Sequence, residues 1–128
     1  MRVNDLKGVL EAWRDAFEKE PRNAGEYLPS FLEKNPSFCF VAEENRKIVG
    51  VILGSFNGRV GYLNRLAVKK DFQGQDIASK LIGSAVQALR NTGTTSIFLH
   101  CKPNLAPLYE NFGFKVDKDN VIMRLKLD

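Results

Sequence analysis

One stretch of the sequence, residues 65–82, constrains the fold more than any other, because its pattern changes from strand to turn to helix. Residues 66–68, Leu-Ala-Val, form a short apolar run typical of a strand covered on both faces. Residues 69–76 are polar and contain a single glycine. Apolar residues then recur at helical spacing, at Ile77, Ala78, Leu81, Ile82, Ala85, Val86 and Leu89. The segment therefore predicts a buried strand, a turn and an amphipathic helix that ends at Asn91-Thr92-Gly93.

The join between this turn and helix favours the binding of an anion. The first turn of a helix leaves backbone N–H groups unpaired and carries the positive end of the helix dipole. A flexible turn before it lets further N–H groups point inward, as in phosphate sites. The sequence is not a P-loop, because the Gly-Lys-Ser/Thr ending is missing, and it lacks the second and third glycines of the dinucleotide-binding motif.

Two motifs carry a resemblance to a known family. Gln73-Gly74-Gln75-Asp76-Ile77-Ala78, with Val68, Ser79 and Leu81, resembles the coenzyme A signature of the GNAT acetyltransferases, Arg/Gln-x-x-Gly-x-Gly/Ala. A second group looks like the C-x-x-x-L-x-P-x-Y-x-x-x-G-F pattern of the arylalkylamine branch, and it consists of Cys101, Leu105, Pro107, Tyr109, Phe112, Gly113 and Phe114. The resemblance extends over essentially the whole chain, except that the family's opening strand has almost no residues here. The middle of the chain looks more like the small, single-domain bacterial acetyltransferases, through Asn35-Pro36, Val41-Ala42-Glu43, Gly50 and Asn57-Gly58-Arg59. Because the two regions resemble different branches, we name the superfamily and no individual member.

Asp76 departs from the first motif, because it stands where the family has its middle glycine. Aspartate is a favoured N-cap residue, worth about 1 kcal/mol relative to alanine. We therefore expect Asp76 to cap the helix, and we expect its charge to weaken the binding of a pyrophosphate.

The resemblance implies the GNAT fold. That fold is α+β, with three layers: a mixed, mostly antiparallel sheet of about six to seven strands carries helices on both faces. The sequence pattern predicts helices at 4–19 and 27–34, strands at 37–43, 47–56 and 60–68, the long helix, a strand at 96–101, a short helix within 102–109, and strands at 113–116 and 121–127. Residues 1–128 are expected to form one domain.

The resemblance also implies a role for particular residues. The strand at 66–68 is expected to separate from its neighbour after a bulge, so that free backbone groups at Leu66 and Val68 pair with the pantetheine arm of acetyl-CoA. The expected coenzyme-binding residues are Leu66, Ala67, Val68, Gln73, Gly74, Gln75, Asp76, Ile77, Ala78 and Ser79. Tyr109 is expected to be the general acid that protonates the leaving thiolate. Without the motif, a tyrosine that anchors a short helix would be the simpler interpretation.

The general base is left open by the sequence. Some relatives use a glutamate six residues before the valine that corresponds to Val68, and that position is Tyr62 here. Glu43 and Glu44 are candidates through water, although carboxylates at a turn are usually solvated. His100 is the only histidine, and a histidine in an apolar strand is more often a core residue. A chain of water molecules is the interpretation we favour.

Composition limits the remaining classes of function. The chain is 44% hydrophobic and 27% charged, with a formal net charge of +4, which suits an anionic cofactor. No apolar run could span a membrane, no signal peptide is recognisable, and no basic cluster with aromatics favours nucleic acid. Cys39 and Cys101 are expected to be buried thiols in a reducing, cytoplasmic environment. No metal is expected.

The sequence is compatible with two functions from different classes. The first is an enzyme that transfers the acetyl group of acetyl-CoA to a primary amine, either a small amine or a protein N-terminus or lysine, by direct attack in a ternary complex. The second is a non-catalytic acyl-CoA sensor or a partner-binding protein of the same fold. Asp76 and the missing strand carboxylate favour the sensor, whereas Tyr109 and Gln73-Gly74 favour the enzyme. The sequence leaves open whether the protein forms a homodimer.

Overall fold

A computed structural model of the protein describes residues 1–17 and 23–127. The helices are α1 (Leu6–Phe17), α2 (Ala24–Lys34), α3 (Ile77–Arg90) and α4 (Ala106–Glu110), and the strands are β1 (Phe40–Glu44), β2 (Lys47–Phe56), β3 (Gly61–Val68) and β4 (Ile97–Phe98). Three single-turn 3-10 helices lie at Val3–Asp5, Lys70–Phe72 and Pro103–Leu105. None of these helices is long and apolar enough to cross a membrane.

The described strands form one mixed sheet in the order β1-β2-β3-β4. The first three strands are antiparallel neighbours, and β4 runs parallel to β3. The β1–β2 turn places Asn45 and Arg46 at positive φ, and Gly58 has a φ of 94° in the β2–β3 turn. This geometry suits the right-handed twist of hairpin strands, which is why Asn-Gly favours such turns.

Helices cover both faces of the sheet, and each face has its own apolar core. On one face α1 and α2 pack against the sheet, with Val9, Trp13 and Leu28 fully buried. On the other face α3 packs with its predicted apolar stripe inward, and Tyr109 of α4 is buried beside it. The three-layer arrangement of the fold class is therefore confirmed, with β2 and β3 between the two helical layers.

The number of strands differs from the prediction. The described sheet has four strands and not six to seven. The segments at 113–116 and 121–127 were expected to be strands, but they belong to no ladder, and β4 contains only two of the six residues predicted at 96–101. Residues 121–127 alternate apolar and polar side chains, which indicates strand propensity, but a strand also needs backbone partners on a neighbouring strand, and the pattern alone does not specify them.

Several element boundaries also differ. The first helix begins as a 3-10 turn, and the predicted residues Glu18 and Lys19 lie outside the described residues. The second helix begins at Ala24, so Pro29 lies in its interior and not in its first turn. Cys39 is a buried free thiol as expected, whereas Cys101 is also free but exposed. It follows β4, beyond the part of the sheet that the helices cover.

Two glycines of the sheet allow neighbouring parts of the chain to pack closely against it. A Cβ at Gly54 would lie 2.5 Å from the carbonyl oxygen of Phe38, and one at Gly61 would lie 2.9 Å from Leu89 of α3. Both contacts are closer than a real Cβ tolerates. Glycine at these two strand positions therefore permits a close approach that a larger residue would prevent.

Candidate functional site

A bulge in β3 determines the geometry of the candidate site. The pairing of β3 with β2 shifts by one residue between Asn64 and Ala67, so that two residues of β3 face one residue of β2. Arg65 occupies the bulge with a φ of 54°, in the left-handed region that side chains disfavour. The bulge lies in the strand where the sequence predicted it.

Trp13 of α1 holds this bulge in place. Its indole N–H donates a hydrogen bond of 3.3 Å to the Arg65 carbonyl, and the Trp13 side chain is fully buried. Two residues further along α1, the Asp15 carboxylate accepts a 2.7 Å hydrogen bond from the backbone N–H of Lys70. Helix α1 thus contacts the chain at the bulge and again just after β3. The sequence pattern indicates neither of these contacts.

Beyond the bulge, no strand among the described residues lies along one side of β3. The ladder between β3 and β4 contains only Gly61 and Tyr62 of β3. The N–H of Lys69 bonds to the Val49 carbonyl of β2, at 2.8 Å. Because backbone groups alternate in direction along a strand, those of Ala67 face β2, while those of Leu66 and Val68 face the side that β4 has left. As expected, β3 and β4 separate after the bulge.

The loop between β3 and α3 folds back onto the end of the strand. The Gln73 side-chain amide donates a 2.9 Å hydrogen bond to the Val68 carbonyl. This carbonyl was expected to be free for the pantetheine arm, but in the structure it accepts the hydrogen bond from Gln73. Gly74, with a φ of 82°, then reverses the chain toward α3.

Asp76 is the residue before α3, but it does not cap the helix with its side chain. It is left-handed, at φ 62° and ψ 12°, and its carboxylate makes no capping hydrogen bond. An N-cap side chain reaches the helix amides from an extended backbone, so this conformation explains why the expected cap is absent. The first intrahelical bond runs from the Lys80 N–H to the Asp76 carbonyl, at 3.1 Å.

The amides at the start of α3 are therefore available to an anion. The N–H groups of Ile77, Ala78 and Ser79 precede the first intrahelical donor and have no partner within the helix. Gln75 and Asp76 are exposed, and Ala78 and Ser79 are partly exposed, so this corner is open to solvent. Together with Gln73 and Gly74, these residues form the contiguous corner that the sequence predicted at the end of β3.

Tyr109 lies in α4, and 6% of its surface is exposed. Its ring packs edge-on against Phe114, with 5.8 Å between the ring centroids. Burial raises the pKa of the Tyr109 phenol to about 12, and the nearby Cys101 thiol adds to the rise. The hydroxyl therefore stays protonated throughout the physiological range, as a proton donor must.

The candidates for a general base lie on the surface. Glu43, Glu44 and His100 are exposed. Tyr62 is 41% exposed and packs against Phe98, with the ring centroids 6.0 Å apart. His100 was expected to be a core residue, and that expectation is wrong because the short β4 ends before it. Across the described ranges 1–17 and 23–127, no three His, Cys, Asp or Glu side chains cluster as metal ligands would.

Comparison with known proteins identifies the family to which the chain belongs. The profile of the acetyltransferase (GNAT) family matches residues 6–114, which is most of the chain. The chain belongs to the GNAT acetyltransferase family. The recognition made from Gln73–Ala78 and the Tyr109 motif is thereby confirmed.

Individual relatives show the same likeness. An acetyltransferase of Pectobacterium atrosepticum is 32% identical over 99 residues, which cover 77% of this chain and 70% of that protein. The N-alpha-acetyltransferase 30 of Schizosaccharomyces pombe is 33% identical over 92 residues, which cover 66% of this chain and 61% of that protein. A predicted acetyltransferase from Clostridium acetobutylicum, solved with acetyl-CoA, shares the fold with a TM-score of 0.77 at 18% identity, covering 97% of this chain and 92% of that one.

Proposed function

We propose that this protein transfers the acetyl group of acetyl-CoA to a primary amine by direct attack in a ternary complex. The observation that carries the proposal is the unpaired side of β3 after the Arg65 bulge, which leads directly into the open amides at the start of α3. An extended pantetheine arm could pair with the first feature while its diphosphate binds at the second. Membership of an acetyltransferase family makes acetyl-CoA the natural donor.

The coenzyme would contact the chain from strand to helix. Leu66, Ala67 and Val68 would lie along the pantetheine, with the N–H of Leu66 or Val68 directed at the thioester oxygen, where negative charge develops. The amides of residues 73–78 and the Ser79 hydroxyl would contact the diphosphate. Because Gln73 already occupies the Val68 carbonyl, the pantetheine would pair there with N–H groups and not with that carbonyl.

The acetyl transfer requires two proton movements. The neutral amine attacks the thioester carbon, the C–S bond breaks, and the nitrogen loses a proton to water. The departing thiolate takes a proton from Tyr109, and the resulting phenolate regains a proton from water. A free thiol has a pKa of about 8.5, well below that of Tyr109, but a thiolate expelled into the same buried region is destabilised by the same desolvation. Proton donation from Tyr109 thus becomes favourable only as the charge develops.

The acceptor is a primary amine, either small or carried by a protein. The name of the Schizosaccharomyces pombe relative, N-alpha-acetyltransferase 30, refers to acetylation at an alpha-amine, which makes a peptide N-terminus the first acceptor to test. We would measure the release of coenzyme A thiol from acetyl-CoA against a panel of peptides with free N-termini, lysine peptides and small amines. Thiol release that depends on one acceptor class, with acetylation of that acceptor by mass spectrometry, supports the proposal.

A second function, a non-catalytic acyl-CoA sensor, is favoured by two observations. Asp76 places a negative charge at the start of α3, and Tyr62 occupies the strand position where some relatives have a glutamate. Acetyl-CoA binding measured by calorimetry, without thiol release for any acceptor in the panel, would favour the sensor over the enzyme.

A further inference from the structure

Helix α1 holds both ends of the stretch that would bind the pantetheine arm. At one end the Trp13 indole N–H donates a hydrogen bond to the Arg65 carbonyl. At the other end the Asp15 carboxylate accepts a hydrogen bond of 2.7 Å from the backbone N–H of Lys70. The backbone groups of β3 that are expected to pair with pantetheine lie between these two contacts. The Asp15 contact is the one on the side that leads toward α3.

The N–H bound by Asp15 belongs to the first residue of the 3-10 turn that follows β3, Lys70–Phe72. The N–H before it, that of Lys69, still belongs to the sheet, because it bonds to the Val49 carbonyl of β2 at 2.8 Å. The first N–H groups of a helical turn have no partner within the turn. The Lys69 side chain makes no capping hydrogen bond. Asp15 therefore caps this turn from another helix.

The capped turn determines where Gln73 lies. The Gln73 N–H reaches the Lys70 carbonyl at 3.4 Å, and the Gln73 side chain bonds back to the Val68 carbonyl at 2.9 Å. The chain then passes directly to the open amides at the start of α3. A change in the position of Lys70 would therefore move Gln73 and the amides that are proposed to contact the diphosphate.

The hydrogen bond of Asp15 has the length of a charge-assisted bond. A distance of 2.7 Å is at the short end of the range for N–H donors, as expected when the acceptor is a carboxylate. The bond is exposed and joins residues 55 positions apart. Because it lies at the surface, its removal changes the support of the turn and leaves the two apolar cores intact.

We propose that Asp15 is a positioning residue for the coenzyme, which holds the 3-10 turn and the following amides in place through the N–H of Lys70. This inference rests on the proposed function, because it requires acetyl-CoA to bind along β3 and at the start of α3. Asp15 would act without touching the coenzyme. A loop that is held in its binding conformation before the ligand arrives loses less conformational entropy on binding. Removing this hydrogen bond should therefore weaken acetyl-CoA binding in a protein that still folds.

Isothermal titration calorimetry of the full chain with acetyl-CoA tests this role. Asp15→Ala is expected to raise the Kd roughly fivefold, which corresponds to the loss of one hydrogen bond. Asp15→Asn keeps an oxygen acceptor at the same position and is expected to recover most of the affinity. Asp5→Ala is the matched control, because the Asp5 carboxylate also accepts an exposed hydrogen bond of 2.7 Å, from the Arg2 N–H, in the turn before α1. It should leave the Kd unchanged.

A double-mutant cycle measures whether Asp15 acts through the backbone of Lys70. Lys70→Ala removes the side chain and keeps the N–H, so Asp15→Ala should still weaken binding roughly fivefold in that background. Lys70→Pro removes the N–H itself, at a first-turn position that proline tolerates. In the Lys70→Pro background, Asp15→Ala should have no further effect. A further fivefold loss there would contradict the proposed route.

Three results overturn the inference: Asp15→Ala binds acetyl-CoA as tightly as the wild type, Asp15→Asn binds as weakly as Asp15→Ala, or Asp5→Ala weakens binding equally. Amide NMR spectra of the free variants report whether they are folded, and Asp15→Ala alone should shift the signals of Gln73 and Ile77. A wild type that does not bind acetyl-CoA contradicts the proposed function, and the role of Asp15 with it. A wild type that binds, with an Asp15→Ala variant that binds equally well, contradicts the role of Asp15 only.

Discussion

Removing the charge of Asp76 should tighten the binding of acetyl-CoA. The Asp76 carboxylate is exposed and lies at the residue before α3, beside the amides of Ile77 and Ala78 where the diphosphate would bind. In a water-like environment, one unit charge about 4 Å from another contributes about 1 kcal/mol. The expected gain for Asp76→Asn is therefore roughly fivefold in Kd. Salt screening should reduce the gain as ionic strength rises.

Two further variants separate charge from backbone conformation. Asp76→Gly removes the charge and also suits the left-handed backbone at φ 62°, so it should tighten binding at least as much as Asp76→Asn. Asp71→Asn removes a charge from the preceding 3-10 turn and controls for net charge alone, with little expected effect. Isothermal titration calorimetry at 0.05 and 0.3 M salt measures all three. Unchanged or weaker acetyl-CoA binding in both Asp76 variants would refute the placement of the diphosphate at this corner.

Four other predictions follow from the structure. Tyr109→Phe should lower single-turnover acetyl transfer at least about tenfold with little change in acetyl-CoA binding, and an unchanged rate would remove the phenol from the mechanism. The free energy of unfolding, measured in urea between pH 9 and 12, should contain a contribution from Tyr109 that is constant below pH 10 and lost as the pH rises toward 12. The reason is that the phenol ionises near pH 10 in the unfolded chain and near pH 12 in the folded protein. Tyr109→Phe should reduce this loss of stability at high pH. Trp13→Phe removes the hydrogen-bond donor to the Arg65 carbonyl in the bulge. It should lower the free energy of unfolding in urea by about 1–3 kcal/mol and weaken acetyl-CoA binding severalfold by calorimetry. Unchanged stability and unchanged binding would argue against a role of Trp13 in holding the bulge. Gly54→Ala forces the Phe38 carbonyl to move and should cost about 1–3 kcal/mol in thermal unfolding, whereas Gly25→Ala, with open space around it, should be neutral or stabilising.

The parts of the fold that depend on local pattern were predictable from the sequence. Helix α3 follows from the apolar periodicity that begins at Ile77, and the β2–β3 turn follows from Asn57-Gly58. The turn and helix start at residues 73–79 could be located because their motif lies in one continuous stretch, while the binding of a coenzyme there stays a prediction. These features need no knowledge of what the chain contacts elsewhere.

The details that sequence reasoning missed depend on distant contacts. The hydrogen bond from Trp13 to the Arg65 carbonyl joins residues 52 positions apart, and no local pattern indicates it. Asp76 was placed correctly before the helix, but its left-handed conformation, which the sequence does not specify, removes the expected cap. Residues 121–127 have a strand pattern, but they lie in no strand, because pairing depends on a neighbouring strand that the pattern does not specify.

The most direct test of the account is an amide NMR titration of the protein with acetyl-CoA. The account predicts that saturating ligand shifts the signals of Leu66, Val68, Ile77, Ala78 and Ser79, raises the melting temperature, and leaves the signals of α2 unchanged. If those five signals and the melting temperature stay where they are at saturating acetyl-CoA, the end of β3 and the start of α3 do not bind the coenzyme, and the central claim is contradicted.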